Sequence, residues 1–137
     1  MSLPIPYQGS QPTYAHTHDA GADLRLSESV ALDAGTLHKV PLDTRVCIPA
    51  GYVGILALRS SLGARGLILP NGVGIIDAGY TGPLTLTLIA LSDTCLSAGE
   101  RVAQLVILPV AHADFRPDAP MPDTARGSGG FGSTGTR

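Results

Sequence analysis

Leu84, Leu86 and Leu88 alternate with Thr85 and Thr87, a period of two with a β-branched polar face, which predicts a half-buried strand. The same strand character recurs over 23–26, 29–32, 36–42, 44–48, 52–58, 67–69, 73–76 and 101–110. Turn formers separate these segments: Asp33-Ala34-Gly35, Pro49-Ala50-Gly51, Pro70-Asn71-Gly72, Ala78-Gly79 and Ala98-Gly99-Glu100. No helical period is sustained, and a single turn over Ser60–Ala64 is the only helix expected. Short strands spaced by Gly/Pro turns predict a sandwich, a jelly roll or a barrel, whose edges need covering, for instance by other copies. Pro4, Pro6, Gly9 and Pro12 forbid a helix at the start and predict an extended arm. From about residue 111 the pattern fades. Asp114 to Thr124 reads as a linker, and Ala125 to Arg137, almost all Gly, Ser and Thr around Phe131, has no core of its own and is expected to move until it binds something.

Composition agrees with one β-rich domain: 137 residues, 44% hydrophobic and 15% charged, with 17 Gly and 11 Pro. Nine Lys and Arg against eleven Asp and Glu leave a net charge of −2, which argues against gripping a nucleic-acid backbone. No apolar run approaches the ~20 residues that cross a bilayer, and no signal peptide is evident, so the expectation is a soluble, cytoplasmic protein without membrane or nucleic-acid partners. Cys47 and Cys95 are two thiols among aliphatic residues, expected to be small core hydrophobes rather than a disulfide framework. His16, His18, His38 and His112 are expected to be solvated or structural, and no His/Cys cluster offers a zinc site.

Five segments carry candidate chemistry. In Arg126-Gly127-Ser128-Gly129-Gly130-Phe131-Gly132-Ser133-Thr134-Gly135, glycines let backbone N–H groups approach an anion, hydroxyls and Arg126 add donors, and Phe131 offers a face for a base. The alternative is a flexible tail. Arg59-Ser60-Ser61-Leu62-Gly63-Ala64-Arg65-Gly66 follows the 52–58 strand; its serines either cap the helical turn or, with its arginines, meet an anion. In Asn71-Gly72-Val73-Gly74-Ile75-Ile76-Asp77-Ala78-Gly79-Tyr80-Thr81-Gly82, Asp77 ends a hydrophobic stretch, where a partly desolvated carboxylate deprotonates water or merely forms a turn. The other two are Asp19-Ala20-Gly21-Ala22-Asp23-Leu24 and Gly99-Glu100-Arg101-Val102-Ala103-Gln104-Leu105. In the last, alternation places Arg101, Ala103 and Leu105 on one face and Val102 and Gln104 on the other.

In this order and at these spacings the five segments resemble the five motifs of the trimeric dUTPase family, over roughly residues 19 to 135. The resemblance implies an all-β fold, a jelly-roll-like β-barrel over 1–110, a linker over 111–125 and a flexible arm over 126–137 that closes an active site on a neighbouring subunit of a homotrimer. It implies a hydrolase of nucleotide metabolism that splits dUTP to dUMP and pyrophosphate. Asp77 matches the carboxylate that activates water for attack on the α-phosphorus, and Tyr80 the ring against the deoxyribose. Asn71 matches the start of the hairpin that reads uracil. Arg59, Ser60, Ser61 and Gln104 match positions around the phosphates. Arg126, Phe131, Ser133 and Thr134 match the arm, Phe131 over the uracil and the others on the γ-phosphate. Mg²⁺ in the family is held by the triphosphate, and Asp23 matches the acid that meets it through water. Glu100 stands where the family usually has Asp, and a changed local salt bridge is expected there. The similar dCTP deaminases share Ile76-Asp77 but continue Pro-Gly-Trp where this chain has Ala78-Gly79-Tyr80, and place a catalytic Glu where this chain has Thr87. Some phage relatives act by binding other proteins, a role compatible with the same residues.

Overall fold

The computed structural model describes residues 2–117 and 120–137. Met1 of the expected arm and positions 118 and 119 of the expected linker lie outside the described residues. Ten strands and one short helix follow in chain order: β1 (Tyr7–Gly9), β2 (Ala22–Arg25), β3 (Val30–Leu32), β4 (His38–Val46), β5 (Tyr52–Leu58), α1 (Ser60–Ala64), β6 (Leu67–Ile68), β7 (Gly74–Ile76), β8 (Pro83–Ala90), β9 (Thr94–Leu96) and β10 (Arg101–Pro109). One sheet runs β1-β4-β8-β6, a second β2-β10-β5-β7, and β3 pairs with β9 alone. From β4 to β8 the chain alternates between the two larger sheets, the traffic of a jelly roll.

The all-β class stands, but the expected barrel does not close. Among the described residues the sheets meet only through isolated bridges such as Leu26↔Leu42 and Ala34↔Ala90. With three residues in β1 and two in β6, the edges are too short to carry a ladder round the molecule. The core lies between the sheets. Leu84, Leu86 and Leu88 are almost wholly buried, as their alternation requires, and meet Leu24, Leu56, Leu62, Leu96 and Leu105 from other elements.

Several local expectations need correction. The 36–42 and 44–48 segments are one strand, with a register shift between Pro41 and Arg45 where the ladder to β8 is interrupted; Pro41 has no N–H to donate. Part of the supposed arm is β1, which pairs Tyr7 to Val46 and Gly9 to Thr44. A Cβ at residue 9 would strike the Asp43 carbonyl, and the φ of +83° is left-handed, so that edge turn needs glycine. In β10 the register against β2 slips between Arg101 and Ala103. This bulge takes up Val102 as an extra residue, so Val102 and Ala103 are both buried and simple alternation fails. Cys95 is exposed and Cys47 only half-buried, so neither is a true core residue. His38 is structural: its Nε2 accepts the Asp33 N–H at 3.3 Å.

Candidate active site

Three groups of candidate residues occupy three places. The first lies where β5, β10 and β2 run side by side. Gln104 on β10 stands opposite Asp23 of β2 on one flank and Ala57 of β5 on the other. Asp23 is buried, and each of its oxygens meets an arginine: Arg59 Nε lies 3.3 Å from Oδ1 and Arg101 Nη1 donates to Oδ2 at 3.0 Å. A carboxylate buried this far needs such partners, and two cations around it leave net positive charge at the sheet end. Gln104 Nε2 donates to the Leu58 carbonyl at 3.3 Å. A Cβ at residue 21 would lie 2.9 Å from that of Gln104, so the Gly21 backbone can approach Gln104 this closely only without a side chain.

Arg59 is the residue at which β5 turns into α1. It is extended, with φ −65° and ψ 146°, and its N–H donates to the Val102 carbonyl at 3.1 Å. Of the two readings of Ser60 and Ser61, capping is not met: no side-chain cap bond forms at the start of α1, and both serines are exposed. Arg65 leaves the other end of α1 and donates to Glu100 Oε1 at 2.8 Å, while Glu100 Oε2 accepts the Ser97 N–H at 3.1 Å. Glu100 thus bridges Arg65 and the β9–β10 turn, so a salt bridge does form at the position where the family usually carries Asp.

The second group follows β7. Asp77 lies directly after the strand and is exposed rather than partly desolvated. The turn Asp77 to Tyr80 is closed by the Tyr80 N–H on the Asp77 carbonyl at 3.2 Å and tied to the core segment by the Gly79 N–H on the Ile48 carbonyl at 3.0 Å. The Tyr80 hydroxyl donates to the Pro83 carbonyl at 3.0 Å. Ile75, Ile76, Asp77, Tyr80, Pro83, Leu84 and Thr85 line a cavity of about 160 Å³, so carboxylate and ring share one concave surface. Asn71, before β7, spends its amide on the Val73 carbonyl at 2.8 Å, which holds the turn between β6 and β7.

The third group is the arm. Arg126 Nε donates to the Gly129 carbonyl at 3.0 Å, and among the described residues the hydrogen bonds of 124–135 stay within that segment. Arg126, Phe131, Ser133 and Thr134 line a cavity with the intervening glycines, and Phe131 stands fully in solvent.

Pairing shows how the first two groups sit. Ile76 is opposite Gly54 and Gly74 opposite Leu56, so Asp77 falls level with Val53 near the start of β5 while Arg59 lies just beyond its end. Six residues at ~3.3 Å each separate them by about 20 Å along the sheet. No single copy brings the Asp77 carboxylate to the arginines. Sequence reading assigned no role to Arg101; its place three residues before Gln104, on the strand that pairs with β2, is the signal that sets it beside Asp23.

Asp23→Ala is expected to cost about 1–3 kcal/mol of stability, since it leaves the Arg59 and Arg101 guanidiniums, each about a third exposed, without their counter-charge. A thermal or urea unfolding series checks this; an unchanged midpoint would deny the ion pairs a structural role.

A family model described as dUTPase matches residues 8–135. The deoxyuridine 5'-triphosphate nucleotidohydrolase of Leifsonia xyli is 41% identical over 128 residues, covering 90% of this chain and 84% of that protein. That of Cutibacterium acnes is 45% identical over 130 residues, covering 92% and 86%. Among solved structures, the dUTPase of Staphylococcus bacteriophage 80alpha with dUPNHPP superposes with a TM-score of 0.89 at 27% identity, covering 98% of this chain and 100% of that one. A mutant dUTPase of phage phi11, described as revealing the coordination of a structural Mg(II) ion, superposes at 0.81 with 23% identity, a likeness of fold alone.

Proposed function

The chain belongs to the dUTPase family and is a dUTP diphosphatase, and on that premise we propose how its residues carry out the reaction. Asp77 takes a proton from a water that attacks the α-phosphorus in line, and the bond to the bridging oxygen breaks to leave dUMP and pyrophosphate. The observation that carries this reading is the shared cavity of Asp77 and Tyr80, which sets a base beside a flat ring of the right kind to pack on a deoxyribose and exclude a 2′-hydroxyl. The turn held by Asn71 supplies fixed backbone groups for uracil, and leaving one of these unpaired against cytosine costs about 1–3 kcal/mol. Arg59, Ser60, Ser61 and Gln104 receive the phosphates. Positioning and charge stabilisation then carry most of the acceleration.

Because Asp77 and Arg59 stand at opposite ends of β5, one substrate needs them from different copies. This supports the homotrimer with shared sites. Exposed Ile68 on β6 and Ile75 on β7, both on sheet edges, give that assembly apolar surface to bury. The arm of 126–137, tethered by the 111–125 linker to the 1–110 domain, closes over such a site, with Phe131 on the uracil and Arg126, Ser133 and Thr134 on the γ-phosphate.

The donor set fits a Mg²⁺ that arrives on the triphosphate. Both Asp23 oxygens are already engaged by arginines, so this carboxylate has lone pairs left for a metal-bound water but is ill placed as a direct ligand. When bound, the ion neutralises phosphate charge. The proposed location is the cytoplasm; among the described residues no helix is long and apolar enough to cross a membrane.

Pyrophosphate release from dUTP, dTTP, dCTP and UTP with Mg²⁺ tests the substrate reading. A preference for dUTP over each competitor is expected, and equal turnover of all four would overturn it. Thr87, half-buried on β8, has no carboxyl group for deaminating dCTP, and ammonia release from dCTP would reverse that exclusion.

A further inference from the structure

Tyr80 folds back across residue 82. Its backbone belongs to the turn after β7, yet its hydroxyl reaches the Pro83 carbonyl at 3.0 Å, so the ring passes over Gly82 on the way. A Cβ built on Gly82 would lie 2.6 Å from Tyr80 Cζ and 3.0 Å from Cε2, and would collide with the hydroxyl oxygen itself. These are separations that carbon atoms do not tolerate. The backbone does not ask for glycine here: Gly82 is absent from the residues with left-handed φ, whereas Gly72 and Gly79 earlier in the same segment have φ of +77° and +82°. Among the described residues, the three atoms nearest a side chain at 82 all belong to Tyr80.

We propose that Gly82 is a positioning residue for substrate selection: the space above it is the seat in which Tyr80 is held flat against the cavity it shares with Asp77. The proposal deepens the reading of Tyr80 as the ring that faces the sugar and rests on it. With a methyl group at 82, the ring swings outward, its hydroxyl leaves the Pro83 carbonyl, and the wall that excludes a 2′-hydroxyl opens. The ring is about half-exposed, so it has room to move without disturbing the core. Discrimination therefore fails before folding does.

The test compares kcat/KM for dUTP and for UTP in the full-length protein, Gly82→Ala, Tyr80→Ala and the double variant. Gly82→Ala is expected to lower the dUTP/UTP ratio roughly 10- to 100-fold, the scale of an ångström-sized misplacement at a reacting centre. In the Tyr80→Ala background the same substitution is expected to change nothing further, because its only target is gone. A ratio left intact by Gly82→Ala but lowered by Tyr80→Ala overturns the role of Gly82 alone. A ratio untouched by Tyr80→Ala overturns the sugar-facing reading beneath it. Additive losses would mean that Gly82 acts elsewhere, which also overturns the proposal. If Gly82→Ala does not fold, the double variant is expected to recover folding and melt with Tyr80→Ala; a double variant equally unfolded refutes the ring as the obstacle.

Discussion

Replacing Asp77 by Asn is expected to lower kcat for dUTP by roughly 10²–10⁴-fold, the share that a positioned general base contributes. The amide keeps the size and hydrogen-bonding reach of the carboxylate but cannot accept the proton of the attacking water. Affinity for dUPNHPP, measured by calorimetry, is expected to stay within a few-fold of the unaltered protein, since the phosphates and the uracil are gripped elsewhere. An unchanged kcat would remove Asp77 from the mechanism. Asp77 is exposed on the isolated chain, and in the proposed shared site its environment as a base comes from the neighbouring copy.

Deleting residues 126–137 is expected to leave folding and assembly intact while lowering activity about 10²-fold or more, the scale of losing donors around a transition-state charge. The core cluster and the residues packed against it end at Ile107, and the hydrogen bonds described for 124–135 are local, so the body loses nothing that supports it. Size-exclusion mass and melting temperature are expected to match the full chain. A truncated protein with full turnover would take the arm out of catalysis. Co-refolding this truncation with Asp77→Asn then tests sharing: each variant holds the part the other lacks, so activity returns only if one site draws on different copies. No recovery would mean that Asp77 and the arm of a given site come from the same copy.

Much of the strand plan was legible along the chain. The 52–58 strand and the Ser60–Ala64 turn stand as expected, and the leucines of 84–88 are buried because period two puts them on one face. Two short elements, β1 and β9, were not legible. β9, Thr94–Leu96, is three residues long, and β1 lies among prolines; both exist because a partner strand supplies their hydrogen bonds. The bulge at Val102 likewise reflects how two strands of unequal length meet.

The chemistry divided along the same line. The resemblance carried by the order and spacing of five motifs marked Asp77, Tyr80, Arg59 and the glycine-rich arm as candidates, where residue chemistry alone left turn, rim and tail readings open. Packing decided what each has for company. Asp23 is clamped by Arg59 and Arg101, Gln104 rests on Gly21, and Tyr80 lies over Gly82. Alternation and turn chemistry are local properties that a sequence carries by itself. Which carboxylate is neutralised, which ring is seated and which two motifs stand a full strand apart depend on contacts between residues distant in the chain, and only the folded sheets bring those into being.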